Sequence, residues 1–266
     1  MTKPTITIVT CTYNAAATLR RTLDSVKGQT YARVEHIIVD GMSSDGTATI
    51  AQTYVDEVNS AATERRARAI VEPDGGLYDA MNKGIAAATG DYLLFLNAGD
   101  KLHASDTLAV VADTIGQGSD TAVAYGDTDI VDAGGRFLCR RRLTPPKHLT
   151  WRSFRWGMLV CHQAFYVRRD IALTVAYDLR YRYSADVDWC IRVMKEAERR
   201  GQQMLNTGAV LVDYLDEGLT TRHHRASLAE RFAVMRRHYG LVVTVAMHGL
   251  FVLRSVLFVL RNIFSR

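Results

Sequence analysis

Residues 90–100 read GDYLLFLNAGD. After its aspartate this stretch is apolar for five residues, which is typical of a central β-strand that is buried on both faces. It ends abruptly in polar residues, among them Asn97 and Asp100. Ligands of open α/β sheets bind at the carboxyl edge of the strands. The stretch therefore predicts a buried sheet and the edge at which its site lies.

The segments before this strand alternate between short β-branched runs and helical stretches. We expect strands at about residues 5–10, 35–39, 68–72 and 91–96, with helices at about 15–27, 46–58 and 77–88. This βαβαβ pattern predicts parallel pairing. After residue 100 we expect a helix at 105–116, a hairpin turning at 132–135, a strand at 163–168, a helix at 186–199 and a strand at 208–214.

The composition indicates a folded α/β protein in a reducing compartment. With 266 residues, of which 48% are hydrophobic, the chain can bury a substantial core. Its four cysteines are widely scattered, which suggests neither a disulfide framework nor a zinc site. The first residues, MTKPTITIVTC, suit a first strand better than a signal peptide. We expect a cytoplasmic protein.

Positive charge is concentrated in the last fifth of the chain. The net charge is +5, but residues 219–266 contain eight arginines and one acid, which leaves −2 for residues 1–218. Such a segment suits nucleic acid, anionic lipid or a solvated face, and its neighbouring residues must decide. Residues 241–264 are almost wholly apolar, with their polar residues confined to one arc of a helical wheel.

This amphipathic segment predicts a helix that lies on an anionic membrane surface, and not a nucleic-acid site. A true membrane span would bring Arg254 near the bilayer centre, at a cost of about 2.5–3.5 kcal/mol. Packing in a dimer or against the core is the other alternative. The oligomeric state stays open.

Four groups of polar residues follow the predicted strands of the first half. The first strand ends in Thr10-Cys11-Thr12-Tyr13-Asn14, and the second leads into residues 39–47, VDGMSSDGT. Asp40 can accept hydrogen bonds from a base or ribose, although turn and cap roles explain these residues equally well. Residues 72–84, EPDGGLYDAMNKG, supply a close-approach glycine pair, and Lys83 can meet an anion.

The fourth group, Asn97 to Asp100, offers oxygen ligands that suit a hard divalent cation on a diphosphate. Taken alone, an aspartate at a strand end is more often a helix cap. The order and spacing of the four groups is more specific than any one of them. In this order the chain resembles the family-2 inverting glycosyltransferases, which have a GT-A fold, over about residues 4–220.

This resemblance implies a site made from the ends of the strands. The implied donor-binding residues are Thr10, Tyr13, Asn14, Asp40, Asp74, Lys83 and Asn97. Asp100 would lie beside Mn²⁺ or Mg²⁺ and the diphosphate. Most relatives have aspartates where this chain has Asn97 and Gly99, so two expected carboxylates are missing and metal affinity is weakened.

In the second half, residues 183–192 read YSADVDWCIR. The resemblance implies that Asp186 is the general base and that Asp188 orients groups near the sugar, while Ala185 replaces the usual glutamate. Both aspartates also suit the positive end of a helix, which is a sufficient structural role. His162 and Gln163 resemble a pair near the sugar in some relatives, and His223 or His224 is a further candidate metal ligand.

Together these features predict a bacterial-type GT-A enzyme with a mostly parallel central sheet. Residues 1–218 would be catalytic, divided into a nucleotide-binding half (1–100) and an acceptor half (101–218), and residues 219–266 a basic helical segment. Its expected reaction moves a sugar from a UDP-sugar to a lipid-linked or polysaccharide acceptor at the inner face of the cell membrane. A non-catalytic nucleotide-sugar or glycan-binding module is the alternative. A nucleotidyltransferase or dinucleotide enzyme is disfavoured, because no Gly-x-Gly-x-x-Gly follows the first strand.

Overall fold

The structure is a computed structural model that describes residues 3–216 and 224–264. Its strands are β1 (Ile6–Thr12), β2 (Val34–Asp40), β3 (Arg66–Val71), β4 (Tyr92–Phe95), β5 (Lys101–Leu102), β6 (Thr121–Val131), β7 (Phe137–Arg140), β8 (Phe165–Arg168) and β9 (Gln203–Leu215). Its helices are α1 (Ala16–Lys27), α2 (Thr47–Ser60), α3 (Leu77–Ala87), α4 (Thr107–Gln117), α5 (Arg169–Ala172), α6 (Ala185–Arg199), α7 (His224–Tyr239) and α8 (Leu241–Phe264).

The strands form one sheet in the order β3-β2-β1-β4-β8-β6-β9-β5, and β7 pairs with β6. Strand β1 runs parallel to β2 and β4, and β2 runs parallel to β3. Every residue of β1 and β2 is buried, including the polar side chains of Thr10, His36 and Asp40, as expected of central strands that are covered on both faces. The four strands and three helices predicted for the first hundred residues are confirmed, and their carboxyl ends share one edge of the sheet.

The second half of the sheet has mixed directions. Strand β8 runs antiparallel to β4 and β6, whereas β6 and β9 are parallel. The predicted hairpin is confirmed, since Gly135 turns the chain between β6 and β7 with φ +83°. The strand predicted at 163–168 instead opens with a short 3₁₀ turn, His162–Ala164, that replaces its first residues.

Helix α6 is fixed on the sheet by the fully buried indole of Trp189. The indole stacks on Tyr177 at a centroid distance of 4.8 Å and meets Phe95 edge-on at 5.5 Å. Its Nε1 donates to the carbonyl of Val175 at 2.6 Å. Because Asp186 precedes Trp189 by three residues, this packing also fixes the start of α6 near the sheet edge.

The two C-terminal helices pack against the rest of the protein. Val234 of α7 is fully buried in the same core cluster as Trp189. Gly240, with φ +81°, separates α7 from α8. The first turns of α8 bury Thr244 and Met247 but expose Val242 to 83%. Within residues 3–216 and 224–264, no helix combines the length and apolarity that crossing a bilayer requires. The boundary at residue 218 stays a prediction.

The contact of α3 with β1 leaves no room for a side chain at Gly84. A Cβ there would lie 2.3 Å from Cγ1 of Val9. We expect Gly84→Ala to lower the free energy of unfolding by about 1–3 kcal/mol, because overpacking strains a dense core. Urea denaturation measures this change.

The matched control is Gly116→Ala in α4, where an added Cβ would meet nothing within 4 Å. This substitution should be neutral or stabilising by up to about 1 kcal/mol, as for glycine to alanine in helices generally. Equal stability of the Gly84 variant and the wild type would contradict the close packing of α3 on β1.

Candidate active site

The loops after β1 and β2 are joined by the carboxylate of Asp40. Its Oδ1 accepts hydrogen bonds from the hydroxyls of Thr12 at 2.7 Å and Ser43 at 2.6 Å, and its Oδ2 accepts from the Ser43 amide at 2.8 Å. The side chain of Asn14 accepts from the Ser44 amide at 2.9 Å. Asp40 is fully buried, so it organises these loops from beneath.

Exposed side chains of the same two loops lie on the outer side of Asp40. The ring of Tyr13 is 70% exposed and available for stacking. Asn14 and Met42, one in each loop, are the non-glycine residues with positive φ in the described chain, at 50° and 64°. Such backbone strain concentrates at ligand sites. The predicted positions of Tyr13 and Asn14 at the edge therefore agree with the structure.

Thr10 does not face this edge. Its hydroxyl pairs with Nε2 of His36 at 3.0 Å, and Nδ1 of His36 pairs with the hydroxyl of Tyr54 on α2 at 2.8 Å. Burial lowers the pKa of His36 to about 3, which keeps the ring neutral. The predicted contact between the Thr10 side chain and a nucleoside is corrected to a role in the core, because all three groups satisfy one another there.

Asp74 and Lys83 shape the loop before α3. Asp74 accepts from the Gly76 amide at 2.8 Å, and a Cβ at Gly41 would lie 2.4 Å from its Oδ2. The ammonium of Lys83 donates to the Pro73 carbonyl at 2.5 Å and pairs with Glu72 at 3.0 Å. Lys83 therefore braces the loop near the site, and its charge is already matched.

Asp100 lies at the base of the site with 4% exposure. Its Oδ1 accepts from the Leu215 amide at 2.7 Å, and its Oδ2 accepts from the side-chain amide of Gln163. Burial raises the pKa of Asp100 to about 7. Gln163 is fully buried, so its predicted contact with the sugar is corrected to a hydrogen bond beneath the site. Asn97 is partly buried, and its main-chain carbonyl accepts from the hydroxyl of Thr22 at 3.2 Å.

Asp186 lies at the first turn of α6 and has two side-chain partners. Its Oδ1 accepts from the Tyr78 hydroxyl at 3.2 Å, and its Oδ2 lies 3.5 Å from Nδ1 of His162. Burial alone raises its pKa, but His162 and the charge of Arg231 outweigh burial, so the pKa is lowered. Asp186 is therefore ionised at neutral pH, as a base must be.

His162 also has a second ring nitrogen in the site. Its Nε2 is buried without a hydrogen-bond partner among the described residues. The sequence left a purely structural role equally open, but the structure places His162 against the proposed base. Tyr78 lies within residues 72–84, but the sequence predicted no role for it. Only the fold shows that it contacts Asp186.

Asp188 points away from Asp186 and is completely buried. Its Oδ2 accepts from Nε of Arg192 at 2.6 Å, and its Oδ1 pairs with Nε2 of His238 on α7 at 2.8 Å. Burial opposes ionisation, but His238 and Arg192 outweigh it and lower the pKa of Asp188. The predicted acceptor role of Asp188 is therefore wrong: its carboxylate joins α6 to α7 through His238.

A histidine and two aspartates meet elsewhere on the sheet. One ligand atom each of His103, Asp129 and Asp213 lies within 4.8 Å of the others. Asp213 already pairs with His103 at 2.6 Å and with Lys101 at 3.1 Å. These residues are far apart in sequence and only strand pairing brings them together, so no sequence signal could reveal them.

The predicted ligand His223 lies outside the described residues, as does the side chain of His224.

Comparison with known proteins decides the family. A family model described as glycosyl transferase family 2 matches residues 7–174. The chain belongs to glycosyltransferase family 2. This family-2 glycosyltransferase is 38% identical over 197 residues to a PGL/p-HBAD biosynthesis glycosyltransferase of Mycobacterium bovis, covering 72% of this chain and 70% of the relative. It is 29% identical to the amylovoran biosynthesis glycosyltransferase AmsB of Erwinia amylovora, covering 71% and 63%.

Solved structures support the GT-A fold of this enzyme. TarS of S. aureus in complex with UDP-GlcNAc aligns with a TM-score of 0.67 at 16% identity, over 87% of this chain and 64% of that one. The mannosyltransferase PcManGT of Pyrobaculum calidifontis, in complex with GDP-Man and Mn²⁺, aligns at 0.63 and 16%, over 89% and 65%. The family model and the 38% identical relative show that the chain is a glycosyltransferase, which excludes the dinucleotide-enzyme alternative.

The contacts of Asp188 with Arg192 and His238 lead to a prediction about stability. We expect Asp188→Asn to lower the free energy of unfolding by about 3–5 kcal/mol, because it removes the buried carboxylate that pairs with Arg192 and His238. The lowered pKa means that wild-type stability from this group is present above the ordinary aspartate pKa and lost as pH falls through the folded value. The difference between the two proteins should therefore shrink in acid.

Denaturant titrations from pH 7 down to about pH 2, which extend below the ordinary aspartate pKa, measure this effect. Glu57→Gln is the control, because Glu57 pairs with Lys27 in an exposed ion pair and should change stability little. A constant difference across the pH range would contradict the assignment.

Proposed function

We propose that the chain transfers a sugar from a UDP-sugar to a lipid-linked or polysaccharide acceptor, with inversion, using Asp186 as general base. The observation that carries this proposal is the position of the Asp186 carboxylate at the start of α6, where Tyr78 and His162 hold it. The relatives named for PGL/p-HBAD and amylovoran biosynthesis favour such acceptors.

In the proposed reaction the acceptor hydroxyl attacks the anomeric carbon from the face opposite the diphosphate. Its proton passes to Asp186 as the new carbon–oxygen bond forms, and the bond from the anomeric carbon to the diphosphate oxygen breaks with its electron pair. A correctly placed base contributes about 10²–10⁴-fold. The base and the departing diphosphate must lie on opposite sides of the sugar, so Asp186 takes one side and the Asp100 edge the other.

The nucleotide is proposed to bind across the loops after β1 and β2. Tyr13 is exposed there for stacking, and Asp40 holds both loops rigid through its three hydrogen bonds. The TarS structure with UDP-GlcNAc motivates a uridine nucleotide. Rigid, pre-organised loops reduce the entropy that donor binding must offset.

A divalent metal is proposed to accompany the diphosphate, as Mn²⁺ accompanies GDP-Man in the PcManGT structure. The residues fit in part: Asp100 and Asn97 offer the oxygen ligands of a hard cation. Asp100 already accepts two hydrogen bonds, which uses about half of the lone pairs of a carboxylate. When bound, Mn²⁺ or Mg²⁺ would neutralise charge on the leaving group.

Helix α8 is proposed to rest on the cytoplasmic leaflet of the cell membrane. Thr244 and His248, which belong to the polar arc of the helical wheel, turn toward the protein, and the ring of His248 lies 4.9 Å from that of Phe232 on α7. The outward face is apolar and includes Val242, Val245 and Val252. Such a face suits the headgroup boundary of a bilayer.

Substituting the base tests the reaction. We expect Asp186→Asn to lower kcat by at least about 10²-fold, because an amide cannot accept the proton. Stabilisation by UDP-GlcNAc with Mn²⁺ in a thermal unfolding assay should persist, since the donor loops are unchanged. Asp113→Asn, at an exposed acid on α4, is the control.

Transfer at the wild-type rate by the Asp186 variant would remove the catalytic assignment. If the wild type binds donors but transfers no sugar to any acceptor tested, the chain is better described as a nucleotide-sugar or glycan-binding module.

The membrane proposal predicts that Val242→Asp weakens flotation with vesicles rich in anionic lipid, because it buries a charge in the apolar face. Leu179→Asp is the matched control, since Leu179 is 58% exposed outside α8. Removing residues 241–266 should release the protein completely. Unchanged flotation of the Val242 and truncated variants would count against a surface helix.

A further inference from the structure

The carboxylate of Glu230, on α7, lies against three consecutive backbone amides. Its Oε1 accepts from the amide of Arg182 at 2.8 Å, and its Oε2 accepts from those of Tyr183 at 2.7 Å and Ser184 at 3.0 Å. Ser184 directly precedes α6, so these amides have no partners within that helix. Glu230 therefore caps the start of the helix that carries Asp186.

This contact is not a chance surface pair. Glu230 is the one acid among residues 219–266. Its carboxylate accepts from three main-chain N–H groups, a geometry that positions backbone and does not merely balance charge. Hydrogen bonds from amides to a carboxylate are short and roughly twice as strong as neutral ones.

A second group of contacts reinforces the first. The hydroxyl of Ser184 donates to the carbonyl of Ser227 at 3.2 Å, and both serines are buried. Further along α7, His238 pairs with Asp188. Helix α7 therefore holds α6 on both sides of Asp186 in sequence, at residue 184 and at residue 188. The backbone turn that projects Asp186 has little freedom between these two points.

Glu230 also acts on the immediate surroundings of Asp186. Burial, then Asp186 itself and finally the charge of Glu230 raise the pKa of Tyr78, which donates to Asp186. Glu230 is thus within electrostatic reach of the site while its oxygens are engaged by amides. It can position the base but is poorly placed to replace it.

We propose that Glu230 is a positioning residue for the general base, so that α7 is part of the catalytic centre and not a separable basic tail. The proposal rests on the proposed role of Asp186. The same helix leads through Gly240 into α8, so the segment that meets the membrane and the segment that positions the base are continuous.

The test is Glu230→Gln in the full chain, assayed for transfer with the donor and acceptor that the wild type uses. The amide keeps the shape of the side chain but presents an NH₂ group to at least one N–H donor, which should release residues 182–184. We expect kcat to fall about 10–100-fold, as for a misplacement of about 1 Å. The KM for the donor should stay within about twofold, because the donor loops lie on β1 and β2.

Hydrogen exchange supplies a readout that general destabilisation would not reproduce. Exchange measured by mass spectrometry should rise in peptides that contain residues 182–184 and stay unchanged in those covering β1 and β2. Glu198→Gln is the matched control, because Glu198 lies at the far end of α6 in an exposed pair with Arg152. It should change neither kcat nor exchange at 182–184.

Asp186→Asn is measured in parallel to separate two failures. An inactive Asp186 variant with a fully active Glu230 variant overturns the positioning role alone, whereas an active Asp186 variant overturns the proposed function first. Glu230→Asp, which keeps the charge but shortens the reach, should also lose kcat. Loss of the native fold in both Glu230 variants, or a loss of kcat with unchanged exchange at 182–184, would assign Glu230 another role and overturn the proposal.

Discussion

The site depends on one short segment, Cys161-His162-Gln163, which joins its two carboxylates. His162 lies against Asp186 and Gln163 donates to Asp100, while the thiol of Cys161 donates to Gln163 at 3.0 Å. Burial raises the pKa of the Cys161 thiol to about 11, so it remains a neutral donor. Because adjacent side chains on a 3₁₀ turn diverge, three consecutive residues can serve both ends of the site. The separation of the proposed base from the proposed leaving-group edge is therefore built into the backbone.

The two carboxylates differ in charge because their surroundings differ. Asp100 is held by one backbone amide and one neutral side-chain amide, and burial raises its pKa to about 7. Asp186 is partly buried and lies near His162 and Arg231, which outweigh the effect of burial and lower its pKa. The hydrogen bond from His162, together with nearby charge, therefore distinguishes the pKa of Asp186 from that of Asp100. Asp186 therefore suits the proposed role of a base, whereas Asp100 suits a carboxyl group that loses its proton when a cation binds.

Helix α7 extends the catalytic centre into the basic C-terminal segment. Glu230 binds the backbone before α6 and His238 binds Asp188 within it, so the helix contacts both flanks of Asp186. On α8, Thr244 is buried and His248 meets Phe232 of α7, while Val242, Val245 and Val252 are exposed. A segment whose composition indicates membrane binding also completes the protein interior.

The sequence by itself determined the features that depend on local pattern. The apolar run before Asn97, the polar ends of β1 and β2, and the start of α6 at Asp186 follow from strand and helix periods, and the order of these groups indicated the family. Tertiary structure alone decided where each side chain points. Thr10 turns to His36 in the core, Gln163 reaches Asp100 across 63 positions, and Glu230 reaches Ser184 across 46.

The reason is the range of the interactions. The apolar residues of a strand or helix recur with a period of two or 3.6 residues, and this pattern spans only a few neighbouring positions. A single sequence is therefore enough to predict these elements. The partner of a buried polar group is selected by helix packing and strand register, as when β6 and β9 bring Asp129 opposite Asp213. A buried polar group must find a partner, but its own sequence neighbourhood does not specify which one.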